Sequence, residues 1–380
     1  MKVLVIGNQA QAMANFWTVL MRHLRQANHQ VLCCIPKGSC EIEQRLLSVC
    51  DGLRTFYINR KSFNPLDDIR TYLDLRRIFK TEQPDVLFLT TIKPVIYGCI
   101  AARCVANLKA CYATITGLGY AFEVDTGFKR LLNWLVVRLY RYALQYSTGI
   151  FFQNPDDLAV FKAHAILQPK VRTLFAKGTG VDTKHFAKKP LPPFPPDAPM
   201  TILFVGRLLV AKGLHEFAAA AAAVRQQHKN VRFQILGPKE TGPGGLPFEY
   251  IEQWQNAGLV EYLGATTDVR SYLAKCHILV LPSWREGLPT CVMEAMSVGR
   301  MAIVTDVPGS REVVKQNETG FIVPVKDASA LAKAILAAVA DPKLVATMGE
   351  NARRLAETEF DADVVASKII ADMQLEDTRS

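Results

Sequence analysis

What this 380-residue sequence lacks narrows it first. It has no apolar run of about 18 residues, so no stretch is expected to cross a bilayer as a helix. Its first residues, MKVLVIG, pass directly into polar NQAQ without the apolar core of a leader, and a cytoplasmic protein is expected. The nine cysteines are an odd number and include no C-x-x-C pair. Cys33, Cys34, Cys99, Cys104 and Cys111 lie among apolar neighbours, which predicts buried thiols rather than a disulfide framework or a metal cluster. The seven histidines are scattered, so no metal and no bound cofactor are expected. A serine elbow, a P-loop and a G-x-G-x-x-G fingerprint are also missing. There is no internal repeat and no low-complexity tract beyond the alanine run 218–223.

What is present describes a globular chain. Its hydrophobic fraction of 49% and charged fraction of 21% leave little room for disorder. The length suits two domains, each with its own core. The net charge of +10 is uneven: residues 1–180 carry 23 Lys and Arg against 12 Asp and Glu, whereas the remainder is nearly balanced. One half therefore faces something anionic, a nucleic acid or an acidic membrane surface.

Short β-rich runs at 3–6, 31–35, 55–58, 86–90, 112–116 and 149–152 alternate with helical patterns. Continuous apolar strands separated by helix-length segments predict an α/β fold with a parallel sheet covered on both faces. Six prolines between Pro190 and Pro199 exclude a helix or a central strand, and a linker is expected over 179–200. The pattern then restarts at 202–205, 232–236, 260–263, 278–281, 302–305 and 321–323. Two Rossmann-like domains, 1–178 and 201–360, would face each other across a cleft at the carboxyl ends of their strands, where open α/β sheets bind ligands.

The second half is organised around residues 283–299, SWREGLPTCVMEAMSVG, after the apolar run 278–282. Pro289 suits a first helical position and Gly299 the residue past the helix end. The helix start would offer amide N–H groups to an anion, with Gly287 allowing close approach and Glu286 and Glu294 framing the site. The spacing E-x7-E within P-S-x-x-E-G-L-P-T…E-A-M-x-x-G resembles the signature of the retaining nucleotide-sugar transferases of glycosyltransferase family 4. That resemblance implies the GT-B architecture, whose last helix, here 361–377, often packs back on the first domain.

By the resemblance, Glu294 would accept hydrogen bonds from the donor ribose and Glu286 would hold hydroxyls of the donor sugar. Gly287, Leu288, Pro289 and Thr290 would border the sugar and phosphate, with Gly206 and Gly237 near the nucleotide. In FVGRLLVAKG, Arg207 and Lys212 correspond to the family's diphosphate-binding pair. A departing diphosphate gains charge that a positioned guanidinium and ammonium stabilise without a metal. The first half departs from the family pattern: the loop after the first strand, GNQAQAMANF, has one glycine, and LTTIKPVIYG carries no histidine. TTIKPVIYG, TGLGYAF and FQNPDD resemble instead a bacterial branch that elongates sugars on undecaprenyl diphosphate, related to N-acetylgalactosaminyltransferases. In that branch Asn15, Lys93, Thr116, Gly117 and Tyr120 would lie on the acceptor side.

The expected function is thus a retaining, metal-independent transfer of a hexose or N-acetylhexosamine from a UDP-sugar to a lipid-linked saccharide. The acceptor would be met at the cytoplasmic face of the inner membrane by a peripheral protein. A docking element is expected at 128–147, FKRLLNWLVVRLYRYALQYS, where apolar residues recur at helical spacing beside Lys129, Arg130, Trp134, Arg138 and Arg141; a helix packed on the sheet is the alternative. Rival readings remain a nucleotide-sugar epimerase or sugar phosphorylase, which would turn over without a lipid or sugar acceptor, and a non-catalytic two-lobed binding protein. Nucleic acid is the weaker partner for the basic half, since interleaved aromatic and basic motifs are missing.

Overall fold

A computed structural model describes residues 1–60, 62, 64–117, 122, 127–196, 198–242 and 244–375, with the side chains of 127–129 left out. The chain forms two compact units, Met1–Gly180 with Ala362–Ser380, and Val181–Asp361.

Among the described residues the first unit carries a seven-stranded parallel sheet, in the order β3-β2-β1-β4-β5-β6-β7. Its strands are β1 (Lys2–Ile6), β2 (Gln30–Ile35), β3 (Gly52–Thr55), β4 (Val86–Thr90), β5 (Ala110–Ile115), β6 (Gly149–Phe152) and β7 (Arg172–Phe175). The helices are α1 (Ala10–Phe16), α2 (Thr18–Gln26), α3 (Cys40–Leu47), α4 (Pro65–Glu82), α5 (Ile92–Ala102), α6 (Gly127–Leu144) and α7 (Pro155–Ala163). α4 starts cleanly because Asn64 caps it and Pro65 occupies its first turn. Strands β1 and β4 are apolar and buried along nearly their whole length, as expected of central parallel strands covered on both faces.

Two details depart from the apolar pattern. The third strand lies three residues earlier than the expected 55–58, because its partner β2 ends at Ile35, whose carbonyl takes the Phe56 N–H (3.2 Å); the Tyr57 N–H on the open edge donates to Asp74 Oδ2 of α4 (2.9 Å). The edge strand β7 was not anticipated; it alternates half-buried and exposed residues and carries no continuous apolar run.

The second unit holds, among the described residues, a six-stranded parallel sheet in the order β10-β9-β8-β11-β12-β13. These are β8 (Met200–Val205), β9 (Val231–Leu236), β10 (Glu261–Tyr262), β11 (Ile278–Leu281), β12 (Met301–Thr305) and β13 (Gly320–Val323). Its helices are α8 (Leu214–Gln227), α9 (Phe248–Asn256), α10 (Arg270–Lys275), α11 (Thr290–Val298), α12 (Ala328–Ala340) and α13 (Pro342–Leu355). β8 and β11 lie side by side at its centre, and both are wholly buried.

The proline-rich stretch belongs to this second unit and is held by its carbonyls. Buried Arg300 donates to the carbonyls of Lys189 and Pro190 as well as Leu273 and Ala274, and the His277 ring lies 3.1 Å from Pro193 O. Prolines leave carbonyl acceptors but no N–H groups, so one buried guanidinium with several donors can fasten such a segment.

After α13 the chain makes one π-helical turn and returns to the first unit as α14 (Ala362–Met373). Val365, Ala366, Ile369 and Met373 enter that unit's core beside α2, Tyr112 Oη donates to Met373 O (2.5 Å), and His23 Nε2 sits 2.9 Å from Asp363.

Candidate active site

The site in the second unit is built where β8, β9 and β11 end. β11 runs into the loop 282–289 and then α11, which begins at Thr290 after Pro289 and stops where Gly299 takes a left-handed conformation (φ 88°). Pro289 stands just before the helix rather than at its first position, and its carbonyl accepts from the N–H groups of Val292 and Met293. The amides of Thr290 and Cys291, ahead of these two, have no carbonyl one turn earlier, so they face the loop as donors.

That loop is pinned on three sides. Trp284 donates its backbone N–H to Ala211 O (2.8 Å) and its indole N–H to Glu216 Oε1 (3.1 Å), while Thr305 Oγ1 donates to Ser283 O. Gly309 packs against Gly287, where a Cβ would stand 2.1 Å from the Gly287 carbonyl oxygen. A rigid loop of this kind holds charged side chains in place without help from a ligand.

β8 delivers the cations. Gly206 ends the strand, Arg207 follows, and a short 3₁₀ turn, Val210–Lys212, brings Lys212 to Glu286 at 2.5 Å. The Lys212 and Glu286 side chains are only 21% and 10% exposed, which makes their attraction stronger than that of a surface pair. Arg207 is more exposed and lies 3.0 Å from Glu240. Gly237, after β9, closes the floor: a Cβ there would fall 1.8 Å from Gly206 O, so only glycine lets the two turns touch. Its carbonyl accepts from Tyr262 Oη (2.9 Å).

Glu294 lies one turn into α11 and is part-buried. Burial raises its carboxyl from the ordinary range to about 7. Cys291, between the two acids, is pushed up to about 12 by burial and senses the charges of Lys212, Glu286 and Glu294. Three ionisable groups expected from the sequence therefore converge on one thiol that is itself inert as a nucleophile. Thr290 stands half-buried at the helix start, and Leu288 packs against the core.

Trp284, Glu216, Glu240 and Gly309 support this arrangement but were not singled out from sequence. Trp284 alone carried a signal, as the aromatic inside the motif; the others come from distant strands and loops. In letters the metal-binding spacing D-x-D occurs at Asp361 and Asp363. The two carboxylates are separately engaged, Asp361 by Thr183 Oγ1 and Asp363 by His23.

Of the expected acceptor-side residues in the first unit, Lys93 and Asn15 are each engaged by partners of their own. Lys93 gives its ammonium to Asn59 O (2.8 Å), Ser62 O (2.7 Å) and Asp68 (2.7 Å), so it ties the loop before α4 to the start of α5. Asn15, exposed on α1, accepts from Gln11 and Arg45. Thr116 and Gly117 follow β5, and Tyr120 lies outside the described residues. A cavity of about 600 Å³ opens beside Asn59 and Gln11, the partners of Lys93 and Asn15, at the ends of β1, β2 and β3, lined also by Asn8, Gln9, Lys37, Tyr57 and Arg60.

On α6 the apolar stripe is divided. Val137, Tyr140, Ala143 and Leu144 enter the core, with Tyr140 against Phe161, so Tyr140 is not an interface residue as its type suggested. Leu131, Trp134, Leu135 and Tyr142 are exposed, Arg130 stands among them, and the Arg138 guanidinium lies 4.6 Å over the Trp134 ring. Arg141 is anchored on the carbonyls of His164 and Ala165, and the Lys129 side chain lies outside the description. Among the described residues no helix is long and apolar enough to cross a membrane.

Comparison with known proteins agrees with this construction. The model for "Glycosyl transferases group 1" matches residues 188–355, and that for "Glycosyl transferase 4-like" matches residues 2–154. An N,N'-diacetylbacillosaminyl-diphospho-undecaprenol alpha-1,3-N-acetylgalactosaminyltransferase of Campylobacter jejuni is 25% identical over 97% of each chain. A UDP-Gal:alpha-D-GlcNAc-diphosphoundecaprenol alpha-1,3-galactosyltransferase of Escherichia coli is 24% identical over 80% of this chain and 79% of its own. Anabaena HepE, solved with UDP and glucose, superposes with a TM-score of 0.76 at 16% identity, over 98% of this chain and 99% of that one. With each unit matched by a glycosyltransferase model and the whole chain sharing the two-sheet GT-B fold, this protein belongs to the family-4-type bacterial glycosyltransferases.

Proposed function

We propose that the protein transfers a hexose or N-acetylhexosamine, with retention of configuration, from a UDP-sugar to a saccharide carried on undecaprenyl diphosphate. One observation carries the donor half of this reading: the Lys212–Glu286 pair stands beside the start of α11 with Glu294 one turn further on. Glu294 accepts the ribose hydroxyls, Glu286 accepts hydroxyls of the sugar, and Lys212 with Arg207 neutralises the diphosphate. The amides near Gly287, Leu288 and Thr290 add a helix-terminus anion site, which Gly206 and Gly237 leave open to the nucleotide. The acceptor half is supported by relatives whose names specify undecaprenol-linked diphospho-sugar substrates.

In the proposed step the acceptor hydroxyl oxygen bonds to the anomeric carbon on the face from which UDP departs. The bond from that carbon to the diphosphate oxygen breaks, and the hydroxyl proton passes to the leaving diphosphate. Lys212 and Arg207 stabilise the charge gained by that group, the role a divalent ion plays elsewhere, so no metal is required. The remaining task is positioning, which the pinned loop 282–289 performs. α6 meets the anionic cytoplasmic leaflet through Leu131, Trp134, Leu135 and Tyr142, with Arg130 and Arg138 on lipid phosphates.

The donor assignment is tested by titrating UDP into the Glu294→Ala protein. Loss of the ribose partner should weaken binding by about 1.5–3 kcal/mol. An unchanged affinity would remove Glu294 from the site.

A further inference from the structure

α4, α5 and α6 form one layer on the first unit's sheet, with α4 against α5 and α5 against α6. α6 presents the exposed apolar stripe already described. α4 presents a second one: Leu66, Ile69 and Leu73 are 72%, 53% and 50% exposed, and their spacing of three and four residues puts them on one helical face. Leu66, Ile69 and Leu73 of α4 and Leu131, Trp134 and Leu135 of α6 lie in the amino-terminal halves of their helices, whereas Tyr142 lies near the far end of α6. Because these helices run antiparallel to the strands they connect, those six residues lie towards the carboxyl edge of the sheet.

The charges around the stripe on α4 are sorted by sign. Its outward cations Arg77 and Lys80 continue the line of Leu66, Ile69 and Leu73 along the helix, while exposed Arg70 lays its guanidinium 4.2 Å over the Tyr57 ring. Its three aspartates turn inward and are engaged: Asp67 by Tyr57 Oη (2.7 Å) and Asn59, Asp68 by Lys93, and Asp74 by the Tyr57 N–H and Arg77. α5 and α6 contain no acidic residue at all. An outer layer with exposed Leu, Ile and Trp among arginines, and with its carboxylates drawn inward, complements a surface that is apolar beneath and anionic at its headgroups. A two-fold contact with a second copy would instead set these arginines against one another.

We infer that α4 is a second membrane-docking helix: Leu66, Ile69 and Leu73 insert at the headgroup boundary while Arg77 and Lys80 hold lipid phosphates. Two helices flanking α5 define a plane, whereas one helix leaves the protein free to roll about its axis. The carboxyl edge of the first unit's sheet is then held at a set height above the leaflet. This inference rests on the proposed meeting with a lipid-linked acceptor.

The test is co-sedimentation of the full chain with vesicles of phosphatidylcholine alone and of an equimolar mixture with phosphatidylglycerol. Wild type should bind the mixed vesicles, and the triple variant Leu66→Asp, Ile69→Asp, Leu73→Asp should bind roughly tenfold or more weakly. Its UDP affinity and circular dichroism should be unchanged, because the three side chains are exposed. A gentler variant, Arg77→Glu with Lys80→Glu, removes no apolar group and should lose binding selectively on the anionic vesicles. If both α4 variants bind like wild type while Leu131→Asp with Trp134→Asp does not, α4 is overturned and docking through α6 stands. If wild type binds neither vesicle, docking by both helices fails, and transfer to a short-chain soluble acceptor shows whether the enzymatic reading survives. Should the α4 variants instead dissolve a dimer of the wild type without changing vesicle binding, the stripe is a self-association surface and the inference is wrong.

Discussion

The proposed contact between Glu294 and the donor ribose makes nucleotide binding a proton-linked event. The Glu294 carboxyl is raised by burial to about 7, so near neutral pH roughly half of the ligand-free protein carries a proton there. Ribose hydroxyls donate to the carboxylate and not to the acid's O–H, so binding selects the ionised form and expels the proton. If the bound carboxyl returns to an ordinary value near 4.3, affinity should fall roughly 30-fold between pH 8 and pH 5.5. Calorimetric titration of UDP in buffers of different ionisation enthalpy reads the proton release directly. Expected is the loss of about half a proton per site near pH 7. The terminal phosphate of UDP ionises near 6 and adds its own pH dependence, which Glu294→Gln isolates because it removes only the protein's share. Identical proton release and identical pH dependence in the wild type and Glu294→Gln would refute the reasoning. The same raised value has a stability consequence with a fixed sign. A carboxyl lifted in the folded state favours folding most below its unfolded value and loses that advantage as pH rises through about 7. The ligand-free Glu294→Gln protein should therefore gain thermal stability over wild type at pH 8 and little at pH 4.5.

Other outcomes follow from the same geometry. Lys212→Ala should abolish transfer while EDTA leaves the wild type active; loss on chelation with recovery on magnesium would contradict the metal-free mechanism. Gly237→Ala places a methyl group 1.8 Å from Gly206 O, so a calorimetric scan should show unfolding easier by about 3 kcal/mol or more. An unchanged midpoint would mean that the two turns can separate freely. Arg300→Leu strands the buried carbonyls of Leu273 and Ala274 and frees those of Lys189 and Pro190, costing about 3–5 kcal/mol. Proteolysis should then cut within 190–199; a fully resistant variant would show that the segment is held by other means.

The candidate site of the second unit was legible because its signals are local. Gly206, Arg207 and Lys212 lie within seven residues, and Glu286 to Gly299 span one loop and one helix, so chain order nearly dictates proximity. What remained hidden depends on distant partners. The chemistry of Lys93 is decided by carbonyls at Asn59 and Ser62, which no spacing rule connects to it. The third strand ends earlier than its apolar run because its partner β2 stops at Ile35, ahead of Pro36, a limit set by a neighbouring strand and not by the run itself. On α6 helical periodicity identified an apolar helix but could not say which apolar residues meet the sheet. α4 escaped notice for a related reason: its outward Leu66, Ile69 and Leu73 alternate with inward acids and look, in one dimension, like an ordinary solvated helix.

The account's central claim is tested most directly by incubating the purified protein with UDP-sugars and a short-chain polyprenyl-diphosphate saccharide, then determining the product's anomeric configuration by NMR. The account predicts UDP release that depends on the acceptor, at one sugar transferred per UDP, with the donor's α configuration kept in the new linkage. Turnover of the UDP-sugar without acceptor, or a product of inverted configuration, would contradict it.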